Sequence, residues 1–264
     1  MKIAIIGTGN LGSSIAKGLI KNNAITTLYL TKRNVNGLTD FEGYKNVFLT
    51  SDNNEAIQQS DIIILAVQPA HLEKILTEVQ PFLTDKHVLI STITGFSISR
   101  IEGLVGVGQF IIRAMPNTAI AVGKSMTCIC SNEMGKQRLA VAEAIFNRLG
   151  TTISIPEQQM QAATVVCASG IAFWMRLIRA TTQAAIQLGF DAEEAQNLAM
   201  FTCEGAANLL ITSGNHPEQE IDRVTTPNGC TIEGLNEMEH KGLSSSLIQG
   251  MVASFDKINS IKAH

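Results

Sequence analysis

The sequence predicts an α/β protein in which a doubly wound parallel sheet is followed by an all-helical C-terminal region. In the first half, short apolar runs alternate with amphipathic helical patterns. A glycine-rich segment follows the first of these runs directly. Beyond Gly150 a single strand-like piece precedes a series of helical patterns. With 264 residues the chain is long enough for one or two domains with a substantial core.

The predicted strands are short apolar runs bounded by turns and separated by helices. Runs of this kind are typical of parallel strands that helices cover on both faces. Strands are expected at Lys2–Ile6, Thr27–Leu30, Asn46–Leu49, Asp61–Val67, His87–Thr92, Gln109–Arg113 and Ser125–Cys130. Helices are expected at Leu11–Lys21, near 53–60 and 69–80, and from about Glu133 to Leu149.

After Gly150 the pattern changes from alternating to helical. A last strand-like piece, Thr151–Ile155, ends at a proline. Helical patterns then follow at about 157–188, 191–213, 231–241 and 243–261, with breaks at Gly189 and at the GNHP segment, where His216 is assigned to a helix-ending turn. We therefore predict two domains, residues 1–153 and residues 154–264.

Composition and charge exclude several classes of protein. Apolar residues make up 45% and charged residues 16%, as in globular proteins. The net charge of −3 and the lack of a basic run disfavour nucleic acid and anionic membranes as partners. Unbroken apolar stretches such as residues 62–67 are too short to span a bilayer, and the apolar core of the N-terminus is too short for a signal peptide. Five cysteines without a CxxC pair or a histidine cluster predict reduced thiols, a cytoplasmic location and no metal site.

The glycine-rich segment GTGNLG lies between the first predicted strand and the first predicted helix. In a G-x-G-x-x-G spacing the first glycine permits a tight turn and the second lets the backbone approach a pyrophosphate. The third permits close packing of the helix on the strand, and the helix N-terminus supplies amides and a partial positive charge. We predict a Rossmann-type dinucleotide site, rather than a glycine turn without a ligand, at Gly7, Thr8, Gly9, Asn10, Leu11 and Gly12.

The end of the second strand predicts which dinucleotide binds. About twenty residues past the glycines, an NAD-selective site usually places a carboxylate that accepts from the ribose 2′-hydroxyl. Here Thr31, Lys32 and Arg33 offer hydroxyl, amine and guanidinium groups, which suit a 2′-phosphate. We therefore predict NADPH as the cofactor, with NADH as a second candidate. The alternative is a solvated basic turn.

Three further segments are expected to line the cofactor cleft, because ligands of doubly wound sheets bind at the carboxyl ends of the strands. For each side chain a core or turn role remains an open alternative. The segments are 66–69, 91–95 and 113–117, and the residues predicted to contact the cofactor are Ala66, Val67, Gln68, Pro69, Thr92, Ile93, Thr94, Met115, Pro116 and Asn117.

Near the C-terminus the stretch VTTPNGCTIEGLNEME interrupts the helical pattern and restarts it at once. A junction of this kind presents free amides and the helix dipole, which together bind a carboxylate. The threonine hydroxyls add neutral donors. The residues alone leave open a second interpretation, in which Thr225, Thr226 or Asn228 merely caps the helix.

This stretch resembles the C-terminal signature of the pyrroline-5-carboxylate reductase family, V-[ST]-S-P-G-G-x-T-I-x-G-L. Other blocks match in the same order: IIGTGNLG, SDNNEA, LAVQPA, IIRAMPNTAIAVGKSMT and CASGIAF resemble the family's glycine loop, third-strand exit, LAVKP, R-x-M-P-N-T-P and GSGPAY segments. The resemblance extends along nearly the whole chain.

The resemblance implies a Rossmann domain followed by a helical domain that interlocks with its twin in a homodimer, which can assemble further into a pentamer of dimers. It implies reduction of a cyclic imine carboxylate, 1-pyrroline-5-carboxylate, to L-proline with NADPH or NADH, the last step of proline biosynthesis. At matching positions it implies cofactor binding by Gly7–Gly12, Asn53, Ala66–Pro69 and Thr92–Thr94, and substrate binding by Asn228, Gly229, Cys230 and Thr231. Thr231 is the catalytic candidate, with its hydroxyl directed at the ring nitrogen while backbone amides hold the carboxylate.

Several residues depart from the family pattern. They are Gln68, Ala119, Gln161, Ile171, Phe173 and Asn228. Two alternatives therefore stay open: an NADPH-dependent reductase of another cyclic imine, and a non-catalytic NADP-binding paralogue. The β-hydroxyacid dehydrogenases, which share the two-domain plan, are disfavoured because no lysine lies between Lys136 and Lys241.

Overall fold

The structure is a computed structural model that describes residues 1–23 and 25–261. Its strands are β1 (Lys2–Ile6), β2 (Thr27–Thr31), β3 (Val47–Thr50), β4 (Ile62–Leu65), β5 (Val88–Ser91), β6 (Phe110–Met115), β7 (Ser125–Ser131) and β8 (Gly150–Ser154). Over the described residues they form one sheet with the order β3-β2-β1-β4-β5-β6-β7-β8. The first six strands are parallel, in the order of a dinucleotide-binding Rossmann fold.

The α-helices of the described chain alternate with these strands and then dominate. They are α1 (Asn10–Lys21), α2 (Asn53–Gln58), α3 (Pro69–Val79), α4 (Ile98–Val105), α5 (Leu139–Phe146), α6 (Met160–Ala163), α7 (Gly170–Gln187), α8 (Ala192–Ser213), α9 (Pro217–Val224), α10 (Cys230–His240) and α11 (Leu243–Ile261). A π-helical segment, Thr164–Ser169, joins α6 to α7.

Apolar side chains on both faces of the sheet build two cores. Ile3 and Ile5 of β1 point to one face and pack with Leu19 of α1. Ala4 and Ile6 point to the other face, in the cluster that contains residues of α3. Each fully buried aliphatic side chain of this size stabilises the fold by about 1.5–3 kcal/mol. The prediction of a doubly wound sheet followed by helices is confirmed.

The last two strands depart from the predicted parallel arrangement, because β7 reverses direction and β8 runs parallel to β7. β7 pairs with β6 in the antiparallel direction, with Arg113 opposite Cys130. The connection from β6 to β7 covers only residues 116–124. Since a parallel pair needs a crossover of about a dozen residues or more, the chain turns back on itself here.

Three helical predictions need correction. The helix expected from Glu133 to Leu149 is a 3₁₀ turn at 135–138 followed by the shorter α5. The helices α4 and α9 were not predicted. His216 was assigned to a helix-ending turn, and this is wrong: its Nδ1 accepts from the Glu218 amide at 3.3 Å, and its own amide donates to Gln219 Oε1 at 3.2 Å. It therefore begins α9 as part of a capping box.

The described chain divides into two compact units. Residues Met1–Ser169, with the C-terminal segment from Phe255, form the first, and residues Gly170–Ser254 form the second. The domain boundary between 153 and 154 that the sequence suggests stays a prediction.

One helical run in the described residues, Glu157–Gln187, has the length and apolarity of a membrane span, with a mean hydropathy of 1.4. Unbroken apolar runs in the sequence do not reveal it, because small, hydroxyl and amide residues are interspersed with the apolar ones. Helices of soluble proteins meet the same criterion. The absence of a membrane partner therefore stays a prediction.

Candidate active site

The glycine loop after β1 is held by two neighbouring strands. Gly7 has φ +96°, and a Cβ there would lie 2.5 Å from Val67 Cγ1, just beyond the end of β4. The Gly7 amide donates to Thr31 Oγ1 at 3.2 Å, and the Thr8 amide donates to the Thr31 carbonyl at 2.8 Å. Gly12 lies directly against the Gly7 carbonyl. Side chains at positions 7 and 12 would break this packing.

The N-terminus of α1, in contrast, is open. A Cβ at Gly9 would meet no atom of the described chain within 4 Å. No side chain caps the helix and its first turn holds no acidic residue, whereas Asp52 caps α2 and Asp191 caps α8. Thr8 Oγ1 is buried and has no hydrogen-bond partner among the described residues. Free amides, the helix dipole and an unpartnered hydroxyl fit the pyrophosphate of a dinucleotide.

Three residues at the end of β2 have different surroundings. Thr31 is buried and its hydroxyl accepts from the Gly7 amide, so it positions the glycine loop. Lys32 Nζ donates to the Gly37 carbonyl at 3.2 Å, while Arg33 is exposed. Because the Lys32 ammonium already bonds a backbone carbonyl, the exposed Arg33 is the main candidate for a 2′-phosphate ligand.

The other predicted cofactor residues lie at the same edge of the sheet, because β1 to β6 are parallel and each residue follows the carboxyl end of a strand. Thr92 Oγ1 donates to the Leu65 carbonyl at 2.9 Å, which joins the ends of β5 and β4. Asn53 begins α2; Ala66, Val67, Gln68 and Pro69 lead from β4 into α3; Thr92, Ile93 and Thr94 follow β5; Met115 ends β6, and Pro116 and Asn117 follow it.

Asn117 and Arg113 make structural contacts at the end of β6. Asn117 Nδ2 donates to the Cys167 carbonyl at 3.1 Å, and the Asn117 amide donates to Ser125 Oγ at 3.0 Å. Arg113, which was expected in the cofactor cleft, is buried and its Nη1 bonds Glu157 Oε1 at 2.9 Å. The sequence does not reveal this pairing, although a buried arginine in β6 requires a carboxylate nearby.

The break in the stretch VTTPNGCTIEGL is a tight turn in the second unit. The Gly229 amide donates to the Thr226 carbonyl at 2.9 Å, so residues 226–229 form a β-turn. Its third residue, Asn228, has φ +57°. Pro227 at the second position cannot adopt a positive φ, so the turn is of type II, which requires a positive φ only at its third residue.

The turn explains one departure from the family pattern. Asn228 stands where the family has glycine, and asparagine is the non-glycine residue that best tolerates the left-handed region. Gly229 is more restricted, because a Cβ there would collide with the Thr226 side chain and lie 3.0 Å from the Thr226 carbonyl oxygen. The substitution at 228 therefore preserves the backbone.

Replacing Asn228 by alanine should destabilise the protein by about 1 kcal/mol, because alanine keeps the Cβ cost of the left-handed region but loses the short polar side chain that offsets this cost in asparagine. Replacing it by glycine should be neutral or slightly stabilising. Urea denaturation monitored by circular dichroism compares the two variants with the parent. Equal midpoints for the alanine and glycine variants would show that the positive φ carries no cost.

The turn delivers the chain into α10 with a free N-terminus. Gly229 is the N-cap residue, and no side chain caps this helix. Cys230 is exposed and Thr231 is half-buried in its first turn. The Thr225 hydroxyl is already committed to the Ile221 carbonyl at 2.7 Å, whereas Thr231 Oγ1 has no hydrogen bond within the described chain. Within the described residues the helix start thus offers amides and the Thr231 hydroxyl to a ligand.

Comparisons with known proteins agree along the whole chain. Pyrroline-5-carboxylate reductase 2 of Dictyostelium discoideum is 42% identical over 281 residues, which cover 99% of this chain and 93% of that protein. The chain belongs to the pyrroline-5-carboxylate reductase family. Pyrroline-5-carboxylate reductase 1 of the same organism is also 42% identical, over 98% of this chain but 49% of that protein, so the chain spans about half the length of that relative.

Two family models match separate parts of the chain, and a solved structure matches nearly all of it. A model described as pyrroline-5-carboxylate reductase dimerisation matches residues 157–261, and one described as NADP oxidoreductase coenzyme F420-dependent matches residues 2–95. The crystal structure of Plasmodium falciparum pyrroline carboxylate reductase with NADP bound has a TM-score of 0.89 and 26% identity, and covers 99% of this chain and 98% of that one. The resemblance read from the motifs is thereby confirmed.

Two other departures from the family pattern, Phe173 and Gln161, line cavities. Phe173 lines a cavity of about 220 Å³ with Leu243, Leu247 and Met251, all in the second unit. Gln161 is buried and lines a cavity of about 200 Å³ in the first unit. Phe173 therefore has a packing role within the helical unit.

Proposed function

We propose that this protein reduces 1-pyrroline-5-carboxylate to L-proline with NADPH, the last step of proline biosynthesis. The observation that carries the proposal is the uncapped start of α10 behind a type II turn, with the Thr231 hydroxyl unbonded within the described residues. A carboxylate-bearing substrate needs such a set of neutral donors, and a non-catalytic dinucleotide-binding protein does not.

In this proposal the chain's own groups bind and orient the reactants. The amides at the start of α1 hold the pyrophosphate, and the amides at the start of α10 hold the substrate carboxylate. The Thr231 hydroxyl bonds the ring nitrogen. NADPH, when bound, supplies the hydride. Because a protonated imine is already electrophilic, the site needs orientation and close approach more than a strong acid or base.

The purified protein tests the proposal directly. Oxidation of NADPH is followed at its absorbance maximum with 1-pyrroline-5-carboxylate, and the product is identified as L-proline by mass spectrometry. The six-membered cyclic imine carboxylate is assayed in parallel. Turnover of the five-membered substrate supports the proposal, while tight NADPH binding without turnover of it would overturn the proposal.

The exposed Arg33 should select NADPH over NADH. Arg33→Ala should raise the Kd of NADPH roughly tenfold or more, since a guanidinium–phosphate pair contributes about 1.5–3 kcal/mol, and should leave NADH nearly unchanged. Isothermal titration with both dinucleotides measures the effect, and Lys45→Ala, another exposed cation, is the matched control. Equal weakening of NADPH and NADH would contradict the assignment.

We further propose a homodimer in the cytoplasm, without a membrane partner, that assembles into a pentamer of dimers. The dimerisation model covers the helical region, and that region leaves Trp174, Phe201 and Ile211 more than half exposed. Apolar side chains of this size favour a protein partner when they cluster at the surface. Sedimentation velocity without detergent measures the assembly.

A further inference from the structure

Two cysteines of the first unit lie side by side next to the proposed cofactor site. Cys128 Sγ of β7 and Cys167 Sγ of the π-helical segment are 3.8 Å apart. Cys128 is 2% exposed, whereas Cys167 is only partly buried. The proposed reaction uses neither thiol of this pair.

We propose that Cys128 and Cys167 form an oxidation site, in which a peroxide converts the two thiols into a disulfide that slows the reductase. The sulfurs need to approach by less than 2 Å to reach the bonding distance of about 2.05 Å. A partly exposed attacking cysteine beside a buried resolving one is the arrangement of redox-sensitive pairs.

The two thiols differ in pKa, and this difference decides which sulfur attacks. A hydrogen bond from Cys128 favours the thiolate of Cys167 and lowers the pKa of Cys167 to about 7. The same bond raises the pKa of Cys128. Burial raises the pKa of Cys130, the next cysteine of β7 on the same face, to about 11. Cys167 is thus the nucleophile, and Cys130 is not.

The chemistry takes two steps and consumes one hydrogen peroxide. The Cys167 thiolate attacks one peroxide oxygen, the O–O bond breaks, and hydroxide leaves and is protonated to water, which gives a sulfenic acid. Cys128 sulfur then attacks the Cys167 sulfur, the S–O bond breaks, and a second water leaves with the Cys128 proton. Two thiols lose two electrons and the peroxide gains them.

The position of Cys167 couples this bond to the proposed reaction. Its carbonyl accepts from Asn117 Nδ2, and Asn117 follows β6 at the edge where the cofactor residues lie. It belongs to a π-helical segment, and such segments are often found at functional sites. Drawing Cys167 towards β7 therefore displaces the Asn117 contact. The slowing of turnover rests on the proposed function, whereas disulfide formation does not.

The test uses the full-length protein treated with one equivalent of hydrogen peroxide. Wild type should lose two of its five free thiols, and tryptic mapping should join the Leu149–Arg176 peptide to the Ser125–Lys136 peptide. Because the second peptide also holds Cys130, the variants are compared: Cys130→Ser should still form the link, while Cys128→Ser and Cys128→Ala should not. Cys203→Ser is the control outside the first unit.

Turnover of 1-pyrroline-5-carboxylate should fall at least about tenfold on oxidation and return with dithiothreitol, since a displacement of 1 Å near reacting groups can cost about 10²-fold. An unlinked wild-type peptide map would overturn the site. A linked map with unchanged turnover would overturn its effect on catalysis. Reduced protein that lacks turnover would instead contradict the proposed function and leave the mapping result standing.

Discussion

Replacing Gly9 by alanine should weaken NADPH binding roughly 30-fold, equivalent to about 2 kcal/mol, without loss of stability. The open space beside Gly9 means that a Cβ meets no described atom within 4 Å in the protein alone. The same space is where a backbone of this type admits the pyrophosphate. The methyl group therefore excludes the ligand and not the protein's own atoms. Titration of NADPH by fluorescence measures the affinity, and urea denaturation measures the stability.

Alanine substitutions at two further glycines serve as controls for this result. Gly103→Ala adds a methyl group at another position where no described atom lies within 4 Å, and it should leave both NADPH affinity and stability intact or slightly raise the stability. Gly7→Ala should lose both, because its Cβ would press on Val67 and φ is +96°. NADPH binding by the Gly9 variant with parental affinity would show that no phosphate approaches at this position.

Much of the first unit could be predicted because its signals are local. The alternation of apolar strands and helices and the spacing of GTGNLG depend on short stretches, and the structure has them where the patterns place them. The direction of β7, in contrast, is not encoded by a local pattern. It follows from the length of the connection before it, which depends on where β6 ends, and β6 extends to Met115. The sequence predicts that a strand or helix is present more precisely than it predicts where that element ends.

Side-chain roles were harder to predict than positions. Thr31 looks in sequence like a polar residue available to a ligand, yet its hydroxyl holds the Gly7 amide. Arg113 lies in a segment expected to face the cofactor, yet it is paired with Glu157, which is 44 residues further along the chain. Such contacts are set by tertiary structure, and one sequence contains no local signal for them.

The turn at 226–229 could be predicted only in part. The sequence predicts a break and a helix start there, and both are present. It does not predict the sign of φ at Asn228, because asparagine adopts either sign. The proline before it suits both type I and type II turns, so the departure from glycine is understood only when φ at Asn228 is known. A departure from a family motif can therefore be conformationally silent.

Replacing Thr231 by alanine should lower kcat about 100-fold, since one positioned donor to the reacting group typically contributes that much. NADPH affinity should stay within about twofold, because the proposed function places the cofactor phosphates at the glycine loop and not at α10. Stability should not fall, since alanine is the better helix former and Thr231 Oγ1 has no hydrogen bond within the described chain. Stopped-flow measurement of single-turnover hydride transfer isolates the chemical step.

Thr231→Ser separates the hydroxyl from the methyl group. Serine keeps a donor at the same place, so its rate should lie within a few-fold of the parent if the hydroxyl bonds the ring nitrogen. Thr181→Ala is the matched control, because the Thr181 hydroxyl is committed to the Leu177 carbonyl of its own helix at 3.1 Å. If serine and alanine at 231 slow the reaction equally, the threonine acts by shape. A raised KM with unchanged kcat in the alanine variant would instead assign the hydroxyl to ground-state binding of the carboxylate.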